Sequence, residues 1–151
     1  MSGDTSRLPR FEEWRQSFGG SVGMWDFAAR KGGTTLALAF ASLFWPHLVE
    51  VEDCILLAER YDSAAFRQWR ERLGDQHEAI ERTVNHLHLW DLFDPASEDV
   101  PAGELDSLAD VLAATWRAAL AEQFPDRAGE VVVERDGEDY GPTITLFTQN
   151  S

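Results

Sequence analysis

Cysteine, lysine, long apolar runs and catalytic signatures are all scarce in this chain, and each scarcity excludes something. Cys54 stands alone among 151 residues, so no internal disulfide can form and the fold must be held by its core. A lone cysteine suits a reducing compartment, and a cytoplasmic location is expected. The longest nearly apolar run, Leu36 to Trp45, is ten residues, about half of the ~20 that a transmembrane helix needs. Residues 1–10 are polar and lack the basic and apolar regions of a secretory signal. No membrane partner is therefore expected. Lysine is confined to Lys31 against twelve arginines, a bias that high-GC coding produces, and a bacterial source is expected on that ground.

Signatures of chemistry are missing as well. The sequence contains no G-x-x-x-x-G-K-[ST], C-x-x-C or H-E-x-x-H, which leaves no motif for a phosphate loop, a redox pair or a helical zinc site. Arg30-Lys31-Gly32-Gly33-Thr34-Thr35 precedes a helix, but it has the wrong order for a nucleotide loop and reads as a linker and cap. No cofactor is expected.

What the chain does hold is enough apolar material for a core. Apolar residues make up 44% of it, and a chain near 150 residues buries roughly 68–70% of its unfolded surface. One domain spanning 1–151 is expected. Helical spacing runs through 9–18, and Thr34 or Thr35 caps a second helix that ends at Pro46. That second helix is apolar all round, which predicts a central place in the core. Val49 and Val51 alternate with Glu50 and Glu52 before Cys54-Ile55-Leu56-Leu57, so one or two strands are expected, with a hairpin turning at Glu52-Asp53. Asp62 or Ser63 caps a helix that Gly74 stops. From Asp75 another helix is predicted to carry Ile80, Val84 and Leu87 on one face and to run into the apolar segment Leu89–Phe93.

Residues 94–104 form an acidic loop, and Leu105, Leu108, Leu112, Trp116 and Leu120 mark a long helix up to Phe124-Pro125. Val131–Glu134 and Thr143–Phe147 then make a β-hairpin around Asp136-Gly137. The fold class expected is α+β: about five helices packed on one face of a small, mostly antiparallel sheet that ends in this hairpin.

Two places invite a functional reading. The first is Asn85-His86-Leu87-His88-Leu89-Trp90-Asp91. On a continuous helix Glu81, Asn85 and His88 share a face with Asp91 at its edge, an arrangement suited to an acid/base pair or a divalent metal. His86 would point elsewhere, and two histidines two apart are not the i, i+4 pair that zinc takes on a helix. Glu81, His86, His88 and Asp91 are thus metal candidates, with His47 able to join only through the fold. Histidines hydrogen-bonded at the end of a buried helix are the plainer account. Trp25, in the glycine-rich stretch, is the one tryptophan of six expected at the surface; Trp14, Trp45, Trp69, Trp90 and Trp116 are expected in the core.

The second is the charge. Residues 1–90 hold 13 acidic and 10 basic side chains, a net of −3, whereas 91–151 hold 14 and 3, a net of −11. The excess gathers at Asp94, Glu98, Asp99, Glu104 and Asp106 and again at Glu134, Asp136, Glu138 and Asp139. Nucleic acid and anionic membrane both require basic residues and are excluded as partners. A basic protein would be attracted and its encounter accelerated. In being small and acidic the chain is similar to immunity proteins and nuclease inhibitors, a likeness of composition alone. The expected function is a partner-binding factor of inhibitor or immunity type; an enzyme centred on Glu81, His88 and Asp91 and an oligomer or scaffold component are the alternatives.

Overall fold

The computed structural model describes residues 8–93, 100, 103–135 and 141–149. The first half runs α1 (Pro9–Ser17), α2 (Met24–Lys31), α3 (Thr34–Phe44), β1 (Leu48–Val51), β2 (Cys54–Leu57), α4 (Ser63–Leu73) and α5 (His77–Val84). It continues with β3 (His86–His88), α6 (Leu89–Leu92), α7 (Glu104–Gln123), β4 (Gly129–Glu134) and β5 (Thr143–Thr148). The fold is α+β, with two antiparallel sheets, β1-β2 and β3-β5-β4.

Alternation along β2 explains the layering. Ile55 and Leu57 join Leu112, Trp116, Ile144 and Leu146 in one core cluster, while Cys54 and Leu56 join Phe66 and Ile80 in another. Successive strand residues point to opposite faces, so helices cover both. α3, α6 and α7 supply the first cluster, and α4 and α5 supply the second. The expected helices on one face are thereby corrected, and among the described residues there are seven α-helices rather than about five. A strand whose four residues are all buried cannot leave one face to solvent.

Local signals behave as their chemistry requires. The Asp62 carboxylate accepts the Ala65 N–H at 2.8 Å and starts α4, and Gly74, at φ 57°, ends it. The β1-β2 hairpin pairs Val51 with Cys54 across Glu52 and Asp53, whose φ values of 47° and 69° mark a left-handed two-residue turn. Arginines hold this turn from both sides: Arg70 reaches the Glu52 carboxylate, and Arg127 donates to the Asp53 carbonyl at 2.7 Å. At the far end of the hairpin the Gln123 side chain accepts from Leu48 N–H and donates to the Pro46 carbonyl, each at 2.9 Å.

Two further expectations fail. The helix predicted from Asp75 through Phe93 breaks after Val84, and His86–His88 become β3, paired with Thr143–Thr145 of β5. Leu87 reaches the core in either conformation, but only the strand gives the free edge of β5 a partner. α3 is also not central. None of its residues is buried, and Leu38 is 71% exposed. Its end packs against the core through the partly buried Leu43 and Phe44, with Trp116 Nε1 donating to the Leu43 carbonyl at 2.9 Å.

Candidate functional site

The most polar buried group lies between the two sheets. β3 covers only the first half of β5, so Leu146 to Thr148 lack a strand on that side. The outward groups of Ile55 and Leu57 on β2 lack one too, because these residues turn their N–H and C=O away from β1. α5 supplies both edges from two side chains one turn apart. Glu81 accepts the Ile55 N–H at 2.7 Å, the Thr148 N–H at 2.5 Å and the Thr148 hydroxyl at 2.8 Å. Asn85 accepts the Leu57 N–H at 2.9 Å and donates to the carbonyls of Ile55 at 2.8 Å and Leu146 at 3.1 Å. Glu81, Asn85 and Thr148 are fully buried. The pair therefore stands in for a missing strand, satisfying groups that are costly to leave unpaired.

This placement changes the reading of the Glu81, Asn85, His88 and Asp91 constellation. The shared helix face does not exist, since α5 ends at Val84. Glu81 spends both carboxylate oxygens inside the fold and offers none to solvent or substrate. Burial pushes its carboxyl above the ordinary range, opposed by the Ile55 and Thr148 hydrogen bonds that favour the charged form. Asp91 lies on α6 and is exposed.

His86 and His88 are brought together. Two residues apart on a strand they share a face, with ring centroids 4.9 Å apart in an edge-to-face arrangement. His86 Nδ1 lies 2.8 Å from the Thr145 hydroxyl. Burial first, then the neighbouring His88 and Arg60, lowers the His86 pKa, against a raising influence from Glu134. Leu87 points the opposite way, into a groove of about 310 Å³ that it lines with Ser42, His47, Arg60 and Leu92. His47 is thus separated from the other two histidines by the sheet. Among the described residues no three His, Cys, Asp or Glu side chains are grouped to hold a metal ion.

The acidic candidates fall into two sets. Asp94, Glu98, Asp99, Asp136, Glu138 and Asp139 lie outside the described residues. Glu104 and Asp106 open α7, and Glu134 ends β4 opposite Thr143. Arg135 lies between α7 carboxylates, 3.6 Å from Asp106 and bonded to Asp110. The other two arginines beyond residue 90 are also used internally: Arg117 donates to the Val131 carbonyl at 2.6 Å, and Arg127 reaches Glu50 and Thr148. The acidic excess of this half therefore has no spare cation of its own.

Comparison with protein-family models, with curated proteins and with solved structures finds no match. The site must be judged on its own chemistry.

A further surface was missed by periodicity. Trp25 is 90% exposed, as expected, but Leu36, Leu38, Phe40 and Trp45 are exposed too, and so are Trp90 and Leu92 on α6. Stacking of Phe40 on Phe93, at 6.1 Å between centroids, joins α3 to the end of α6. Trp45 and Trp90 are thus corrected from core to surface. An uncharged amphipathic-free helix looks the same in sequence whether its neighbours or an outside molecule cover it. Among the described residues no helix is long and apolar enough to cross a membrane.

Proposed function

We propose that the protein is a partner-binding factor of inhibitor or immunity type that captures a basic protein through the acidic surface after residue 90. The observation that carries the reading is that Arg117 and Arg127 are spent inside the fold and Arg135 covers Asp106 and Asp110. With those cations engaged, Glu122 on α7 and Glu130 and Glu134 on β4 are left exposed to attract charge from outside. Exposed ion pairs contribute little each, about 0–1 kcal/mol, so the acidic face serves encounter rate and choice of partner before affinity.

The enclosure of Glu81 and the absence of a three-residue metal group among the described residues favour binding over the acid/base alternative. Affinity capture from lysate of the source at about 50 mM and 150 mM salt tests the proposal, since exposed charges are screened over about 8–10 Å in this range. Capture of a basic protein at the lower salt, lost at the higher and lost with Asp106→Lys/Glu134→Lys, is the expected result. Recovery of no partner, or of neutral and acidic ones alone, refutes it.

A further inference from the structure

We propose, resting on the partner-binding reading, that the basic partner docks along the outer edge of β4 by adding an extended segment as an antiparallel strand. β4 closes one side of the β3-β5-β4 sheet and, among the described residues, pairs with β5 alone. In that ladder the Gln149 N–H donates to the Ala128 carbonyl at 2.9 Å, and bonding alternates along an antiparallel pair. Glu130, Val132 and Glu134 therefore spend their backbone groups on β5, while Gly129, Val131 and Val133 turn theirs outward. The Val131 carbonyl shows the direction, since it accepts from Arg117 of α7 at 2.6 Å. Among the described residues nothing bonds the Val131 N–H or the N–H and C=O of Val133.

Room and charge select the occupant. Arg117 marks the side of α7 that lies along this edge, and Ala114 and Ala121, one turn away in either direction, are exposed and short. A strand beside β4 meets no bulky side chain at those two positions. On the other face of β4, Glu130 and Glu134 are exposed, with the partly buried Val132 between them. Residues two apart on a strand share a face, so these three form one row with a carboxylate at each end. Glu130 lends an oxygen to Gln149, but among the described residues neither glutamate is ion-paired to Lys or Arg. Facing side chains on paired strands stand about 4.5–5.5 Å apart at Cβ. The partner segment therefore sets Lys or Arg, four residues apart, against Glu134 and Glu130, with a β-branched residue against Val132. Its intervening side chains fall on the α7 side beside Arg117, where a further cation is repelled. A second copy of β4 would instead bring four carboxylates to one face of the seam, and like charges there oppose pairing.

Strand addition supplies what an acidic surface lacks. Exposed ion pairs add little affinity, whereas a strand on an open edge pairs backbone groups and fixes register. Glu130 and Glu134 then choose the segment, and the β4 backbone holds it. The same two glutamates guard the unoccupied edge, because charge on an edge strand resists pairing with other copies.

Heteronuclear NMR of the full chain, titrated with the peptide Thr-Lys-Ser-Val-Ser-Lys-Thr to about 2 mM at about 50 mM salt, tests the edge. The peptide's serines face Val131 and Val133, and its valine turns its N–H away from β4. Saturable shifts of the Val131 and Val133 amide signals are expected. N-methylation of both serines should weaken binding about tenfold or more by removing two backbone donors, while N-methylation of the valine leaves it near the parent value. Glu130→Gln/Glu134→Gln should weaken it by about 2–30-fold, the loss of two exposed pairs. A serine-methylated peptide that binds as tightly as its parent overturns the edge and leaves a surface that attracts charge alone. So does capture of a basic protein from lysate alongside a parent peptide that leaves β4 unshifted. A free chain that sediments as a dimer with its Val133 amide protected from exchange gives the edge to a second copy, and that too overturns the proposal. Capture of no basic protein at all overturns the partner-binding reading and this partner with it, so the two failures are told apart.

Discussion

Asn85 provides the sharpest test of how the two sheets are joined. Its Oδ1 must accept from Leu57, and its Nδ2 must donate to two carbonyls. Asn85→Asp keeps the shape and the first bond but turns the donor into an acceptor facing the Ile55 and Leu146 carbonyls. Each buried group left unsatisfied costs about 1–3 kcal/mol, so the two carbonyls together give a loss of about 2–6 kcal/mol at pH 7. At about 2–4 °C per kcal/mol for a chain of this size, the midpoint of thermal unfolding falls by several degrees or more. The loss should also depend on pH. A buried aspartate facing carbonyls has a folded pKa above the unfolded value of about 3.9. Its penalty is then smallest below that value, where the protonated acid donates to one carbonyl, and grows as pH rises through the folded pKa. Urea unfolding of wild type and variant at about pH 4 and pH 7 measures the gap at each, and Asn85→Leu supplies the uncharged control. A gap under 1 kcal/mol, or one that is the same at both pH values, refutes the strand-substitute account.

Other expectations follow from the same contacts. Because burial raises the Glu81 pKa, its protonated form favours the fold: that contribution is complete below the unfolded carboxyl value and is lost as pH rises through the higher folded one, so the stability difference between wild type and Glu81→Gln should vary with pH above about 4.5. A difference that is flat with pH contradicts this. Cys54 is fully buried and its thiol is pushed up to about 11, chiefly by burial, so a thiol-reactive chromogen at pH 8 should leave the native protein unmodified and react fully once urea unfolds it. Asp53, at φ 69°, should be improved by Asp53→Gly by about 0.5–1 kcal/mol, because Arg127 binds its backbone carbonyl rather than its side chain. A lower urea midpoint for that variant would contradict the turn assignment.

Local chemistry in the sequence determined most of the elements: the Asp62 cap and the Gly74 stop, the two-residue turn at Glu52-Asp53, and the apolar period of α7, each acting over a few neighbouring residues. The charge asymmetry around residue 90 was equally legible, since counting needs no coordinates. Tertiary structure decided the rest. A run such as Thr34–Phe44 records that it avoids charge but not which molecule covers it, and only its place beyond α7 puts Leu38 at the surface. His86–His88 is three residues long, too short for its period to separate strand from helix. What makes it a strand is the free edge of β5 about sixty residues later, and the same distant edge converts Glu81 and Asn85 from a candidate site into the join between two sheets.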